Sequence, residues 1–200
     1  MGNIDIFEMM ADSYDTKERI TIAQVAANAI RERLVDATNK TAIDFGCGTG
    51  LIGMHLLNDF QSVLFLDASQ NMVDEIQQKI EAFHIANAST QCVNIEKEST
   101  NNLRADYIFM AQVLLHIDNT EFVLSKLYEL LNEGGHLLIV DFDKNEKVIS
   151  DMVHNGFEQK ELAALLAKIG YQQIQSKTFY HGEKIFMAQD ASMFILDGKK

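Results

Sequence analysis

Asp44-Phe45-Gly46-Cys47-Gly48-Thr49-Gly50 is the stretch on which the fold turns. Ahead of it, Thr41-Ala42-Ile43-Asp44-Phe45 is short, apolar and partly β-branched, which predicts a buried strand. Behind it, Leu51, Met54 and Leu57 recur at helical spacing. A strand, a glycine turn and a helix in that order aim backbone N–H groups and the positive end of a helix dipole at one point. Gly46 and Gly48 tolerate positive φ and leave room where a Cβ would block close approach. The local expectation is a nucleotide-like or carboxylate-bearing ligand on this turn.

The same glycines fit two patterns. Gly48-Thr49-Gly50-Leu51-Ile52-Gly53 matches the dinucleotide fingerprint G-x-G-x-x-G. Alternatively, Asp44 stands two places before the first of three alternating glycines, Gly46, Gly48 and Gly50. The rest of the chain has to decide between them.

Two hundred residues, 47% hydrophobic and 23% charged, suit one globular domain. The expectation is a single domain over 1–200, with 1–40 as an N-terminal helical arm or lid. The net charge is −12 and there is no Lys/Arg run to follow phosphates, which argues against a nucleic-acid partner. Cys47 and Cys92 lack metal-ligand spacing, so no metal is expected. Met1–Glu8 is acidic and has no apolar segment, and no apolar run reaches membrane-spanning length. A cytoplasmic protein with no membrane partner is the expectation.

In the arm, Asp15 with Glu18 predicts a capping-box start, and Ile22, Val25, Ala26, Ile30 and Leu34 form one apolar face. Phe7, Met9, Met10 and Tyr14 precede it, as a packing arm or a lid. Ser62–Asp67 predicts the second strand. Asp67 falls 19 positions after Gly48, where an acid can accept from ribose hydroxyls. Ser69 caps a helix with Met72, Val73, Ile76 and Ile80 inside. Ser89–Ile95, Ala105–Ala111 and His136–Asp141 predict three further strands, with Asp118 and Glu121 capping the helix before the last of them. Asn132-Glu133-Gly134-Gly135 is expected to end that helix, glycine serving as its C′ residue. Gly170 stops a final helix carrying Leu162, Leu165, Leu166 and Ile169. Tyr171–Phe179 and Ala191–Leu196 predict two last strands across a long polar loop, Tyr180–Asp190. Alternation of strands and helices implies a parallel sheet with its ligand at the carboxyl ends of the strands. Asp44, Asp67, Asn94 and Gln112 all fall at such ends.

The ordered set resembles the class I S-adenosylmethionine (SAM)-dependent methyltransferases. Asp44–Gly50 is similar to their first motif and Asp67-Ala68-Ser69-Gln70-Asn71-Met72 to their second. Ala105-Asp106-Tyr107-Ile108 with Leu114-Leu115-His116-Ile117 is similar to the fourth strand and its outlet. Leu130–Leu137 matches the approach to the fifth strand, and His154-Asn155-Gly156-Phe157 with Gly170-Tyr171 the late helix–strand segment. The resemblance runs over residues 5–197. It implies an α/β, doubly wound, Rossmann-like fold: a mostly parallel seven-stranded sheet of order 3-2-1-4-5-7-6 with strand 7 antiparallel. It implies SAM as cofactor, with Gly46, Gly48 and Gly50 under its methionine part. Asp44 and the Gln112 carbonyl would meet the ammonium, Asp67 the ribose, and Ala68 and Met72 the adenine. Asn94 stands where many members have Asp. It keeps a side-chain acceptor for the adenine amino group. Tyr14, Cys47 and Ile95 complete the implied cofactor set.

A sulfonium methyl is already activated, so the protein's task is alignment, and a base is needed only for a protonated nucleophile. His116 is the candidate catalytic residue, with His154 and Tyr14 beside it by placement. The chain lacks proline altogether. The Pro-Pro and Pro-Cys signatures of DNA-methylating relatives are therefore absent, and a small-molecule acceptor is expected, on a monomer or homodimer. Two other classes stay open at this level: an NAD(P)-dependent oxidoreductase, and a non-catalytic SAM or nucleotide binder on the same fold.

Overall fold

The computed structural model describes residues 15–98, 100 and 102–200. One seven-stranded sheet of order β3-β2-β1-β4-β5-β7-β6 runs through it. Strands β1 (Thr41–Phe45), β2 (Ser62–Asp67), β3 (Ala88–Cys92), β4 (Ala105–Ala111) and β5 (Leu131–Phe142) pair in parallel. Strand β7 (Gln189–Lys199) inserts antiparallel between β5 and β6 (Gln172–Phe186). This is the expected order.

The central strands β2, β4 and β5 are largely apolar because helices cover both faces, whereas the outer strands β3 and β6 are mostly polar and partly exposed. Helices α1 (Lys17–Arg31) and α3 (Gln70–Ala82) pack on one face, where Ala26, Ile30 and Ile76 meet Phe65, Phe109 and Leu138. Helices α4 (Thr120–Leu130) and α5 (Gln159–Ile169) pack on the other, where Leu124, Leu127 and Leu166 meet Ile108, Leu137 and Ile139. Successive residues of β5 therefore serve opposite cores.

Several local expectations need correcting. Thr16, not Asp15, caps α1, its hydroxyl accepting from Arg19 N–H at 3.3 Å. Asn119, not Asp118, caps α4. That helix ends at Leu130 and the chain is already extended at Leu131, so Gly134 is not its C′ residue. Gly134 sits at φ +75° near the start of β5, where its N–H reaches Lys200 O. The third strand stops at Cys92, leaving Asn94 and Ile95 in the following loop. The expected loop 180–190 is not a loop: β6 and β7 run on to a turn at Met187 and Ala188, both at positive φ. Among the described residues, no helix is long and apolar enough to cross a membrane.

Candidate functional site

The glycine turn follows β1 and leads into a helix, α2 (Gly53–Leu56), of only four residues. A helix this short supplies little dipole, so the expectation that a helix end polarises the ligand gives way to a different arrangement. The turn is held by hydrogen bonds. Gly46 and Cys47 N–H both reach Leu66 O, at 2.8 and 3.0 Å, and Gly50 N–H reaches Cys47 O at 2.9 Å. Gly46, Gly48 and Gly50 sit at φ +67°, +53° and +80°. A Cβ on Gly46 would lie 2.6 Å from both methyls of Val113, so β4's outlet passes directly over the turn. Gly53, third glycine of the dinucleotide pattern, is glycine for packing: a Cβ there would meet Phe65 and Asp44 at 2.4 and 2.5 Å.

Two strand-ending carboxylates organise the turn. Asp44 is 4% exposed and accepts from Gly53 N–H at 3.0 Å. Burial pushes its carboxyl up to about 8, the Gly53 hydrogen bond opposing and the Asp67 charge adding to the rise. Asp67, at the end of β2, accepts from Gly48 N–H and Ser69 N–H, each at 2.9 Å. Burial also drives the Cys47 thiol well above its ordinary range, leaving it protonated and unreactive.

These residues line one cavity of about 510 Å³ at the carboxyl ends of β1, β2 and β4. Asp44, Gly46, Cys47, Gly48, Asp67, Ala68, Met72, Asn94, Ile95, Gln112 and His116 all face it. Gly50 shapes the turn from behind, against Ile76. His154 lies outside: exposed, its Nε2 is 2.9 Å from Ile117 O. Tyr14 falls outside the described residues. Asn94 is in a local turn, its Oδ1 accepting from Glu96 N–H at 3.0 Å.

Gln112 holds φ +56°, a left-handed conformation uncommon for a residue with a side chain. Its N–H pairs with Val140 O at 2.8 Å, and its amide nitrogen lies 3.9 Å from Met193 Sδ. His116 follows on a 3-10 turn, Leu114–His116, and is half-buried. Desolvation lowers its imidazole to about 4, so it is neutral at physiological pH. The turn beneath it is pinned by Asp141, fully buried at the end of β5, which accepts from Leu115 N–H at 3.3 Å and Phe142 N–H at 2.8 Å. Burial raises that carboxyl to about 7 against these hydrogen bonds.

The opposite wall was not legible residue by residue. It comes from α1, through Arg19, Ile22, Ala23 and Ala26, and from Met193 on β7. The arm's amphipathic face was visible, but its burial reads equally as core. Nothing in the sequence marks Met193. Asp141 did carry a signal, an acid closing an apolar strand like Asp44 and Asp67. Among the described residues no His, Cys, Asp and Glu cluster has the geometry of a metal site.

Comparison with known proteins agrees with this geometry. Residues 43–137 match a family model described as a methyltransferase domain. An uncharacterized methyltransferase of Schizosaccharomyces pombe is 28% identical over 135 residues, 64% of this chain and 46% of its own. A ubiquinone biosynthesis O-methyltransferase of Coxiella burnetii is 26% identical over 116 residues, 58% of this chain and 49% of its own. The chain thus spans about half the length of these curated relatives. The Haemonchus contortus phosphoethanolamine N-methyltransferase 2, solved with S-adenosylhomocysteine (SAH), superposes with a TM-score of 0.73 at 14% identity, over 97% of this chain and 60% of its own. At that identity the likeness speaks for the fold.

Proposed function

This chain belongs to the class I SAM-dependent methyltransferases, and on that footing we propose that it moves the sulfonium methyl of SAM to a small-molecule acceptor. One observation carries the reading. The turn residues Gly46–Thr49 and the Asp67 carboxylate share a wall of the cavity described above, Gly48 N–H hydrogen-bonded to Asp67.

The residues present fit the cofactor. Asp67 is a carboxylate on the cavity wall, held by Gly48 and Ser69 N–H, and a carboxylate acceptor there suits ribose hydroxyls. Ala68, Met72 and Ile95 offer apolar surface to the adenine, with Asn94 beside them as a polar partner. Asp44 and the Gln112 carbonyl suit the ammonium, and the glycine turn admits the methionine part. Bound there, SAM supplies an activated methyl. The chain's residues bind, orient and exclude water, and alignment of this kind is worth up to about 7–11 kcal/mol. His116 holds a neutral imidazole beside the cavity and orients the acceptor by hydrogen bonding. Its low basicity makes it a weak proton acceptor.

The α1 wall supports reading residues 1–40 as an arm over the site, within one domain spanning 1–200. Hydrogen exchange with and without SAH tests this, and equal protection of 1–40 in both states rules it out. The acidic surface and the similarity to a ubiquinone biosynthesis O-methyltransferase support a small-molecule acceptor. A dinucleotide oxidoreductase is disfavoured by β7, which runs antiparallel between β5 and β6 where that fold keeps order 3-2-1-4-5-6. Thermal shift with SAM, SAH and NAD(H) decides between them. A ligand at 100 times its Kd stabilises by about 2.7 kcal/mol. SAM and SAH should shift the melt and NAD(H) should not, and turnover of SAM against a metabolite panel then identifies the acceptor.

A further inference from the structure

At the glycine turn three polar side chains meet, one of them Thr49, which also lines the cavity. Asp15, just before α1, accepts from the Thr49 hydroxyl through Oδ1 and from the Lys79 ammonium through Oδ2 at 2.8 Å. Lys79, in the last turn of α3, also donates to the Thr49 carbonyl at 2.8 Å. Thr49 is 2% exposed, and the Lys79 and Asp15 side chains are only 28% and 32% exposed. Thr49 is thus the buried member, and the charged pair that holds it is partly exposed and partly screened.

The position of this cluster matters. Three glycines at positive φ leave the turn with little steric preference of its own, so its backbone is costly to order. Thr49 sits between two of them, and it is gripped at both its hydroxyl and its carbonyl. The gripping residues belong to the two elements that flank the turn: the entrance to α1, which walls the cavity, and α3, whose first residues follow Asp67.

We propose that Asp15, Lys79 and Thr49 form a clamp that fixes the glycine turn against α1 and α3 and thereby sets cofactor affinity. The inference rests on reading the cavity as the SAM site. Asp15 and Lys79 are positioning residues, acting through Thr49.

The test is calorimetric titration of SAH into the parent chain and into Asp15→Ala, Lys79→Met, the double variant, Thr49→Val and Thr49→Ser, each checked for folding by its melting curve. Loss of either charged partner should raise the Kd by about 10- to 100-fold, within the range of one hydrogen bond to a charged group. The double variant should be little worse than the weaker single, because the two residues act as one unit. Thr49→Val should lose affinity and Thr49→Ser should restore most of it. Lys126→Met, which removes an exposed pair with Glu129 on α4, should leave the Kd unchanged. Kd values within about twofold of the parent, with lowered melting temperatures only, overturn the clamp and leave a stabilising contact. Additive losses in the double variant overturn it as a unit. A parent chain that binds no SAH overturns the cofactor assignment along with it.

Discussion

The Asp67 carboxylate accepts the Gly48 N–H at 2.9 Å, so the end of β2 and the turn after β1 are one hydrogen-bonded piece. The acid expected to hold a ribose also holds the loop expected to pass under the methionine part. Removing it therefore acts twice. For Asp67→Ala we expect SAM affinity to fall by about 30- to 1000-fold, or about 2–4 kcal/mol. The melting temperature should also drop, because the Gly48 and Ser69 N–H groups lose a charged acceptor. Asp67→Asn should fall between. Calorimetric titration of the folded variants checks this, and unchanged affinity removes the ribose assignment.

Asp44 predicts a proton count. Its carboxyl titrates at about 8, so near neutral pH it is mostly protonated. An ammonium placed beside it favours the ionised form, so binding should expel a proton. SAH affinity should tighten as pH rises towards about 8, by up to about tenfold per unit, and then level off. Calorimetry near pH 7 in buffers of different ionisation enthalpy should count close to one proton released, and Asp44→Asn should abolish the release. An affinity independent of pH contradicts the placement.

His116 and Asp141 act on stability in nearly the same pH window with opposite signs. His116 is lowered from 6.5 to about 4, so its contribution is present above 6.5 and is lost as pH falls through about 4. Asp141 is raised from 3.8 to about 7, so its contribution is present below 3.8 and is lost as pH rises through about 7. Melting curves across pH should show His116→Asn flattening the acid limb. The melting temperature of Asp141→Asn relative to the parent should change between about pH 3.8 and 7, with little change elsewhere.

The same lowering of His116 bears on catalysis. If it acts only by orienting the acceptor, the rate shows no titration near 6.5, and His116→Ala loses activity mainly through its folded fraction. A kcat loss of about 10²–10⁴-fold in fully folded His116→Ala, with an acid limb in the parent's pH profile, identifies a general base instead.

Gly46→Ala tests the close approach of the β4 outlet. The new methyl would sit 2.6 Å from two Val113 carbons on a backbone at φ +67°. Overpacking and left-handed strain together should cost about 2–4 kcal/mol. Gly46→Ala with Val113→Ala should recover the steric part and not the backbone part. Denaturant melts of the two variants separate them.

The parts of the fold that were legible are those where chemistry constrains residue type. Alternating glycines and strand-ending acids mark the turn, β1 and β2, because few other residues permit that backbone or that hydrogen bonding. The antiparallel β6–β7 pair was legible, but its tight tip was hidden because Met187–Ala188 adopts positive φ without glycine or asparagine. Gly134 misled in the opposite direction: it is a kink in a strand and not a helix stop. The cavity's far wall was hidden because Ala23, Ala26 and Met193 look the same whether they face a ligand or a core. Capping residues were misplaced by one position on α1 and α4, where adjacent polar residues compete for the same role.

Strand β7 lies between β5 and β6, and this bears on synthesis by the ribosome. Leu137–Val140 of β5 are fully buried at the end, but one flank of that strand stays open until residues 189–199 have emerged. At about 5–20 residues per second, the interval between Phe142 and Gln189 lasts about 2–10 s. For that time the nascent chain presents an apolar, unpaired edge, and β6 arrives before the strand it needs. Slow decoding between the two segments should therefore raise aggregation and dependence on chaperones, while slow decoding after β7 should not.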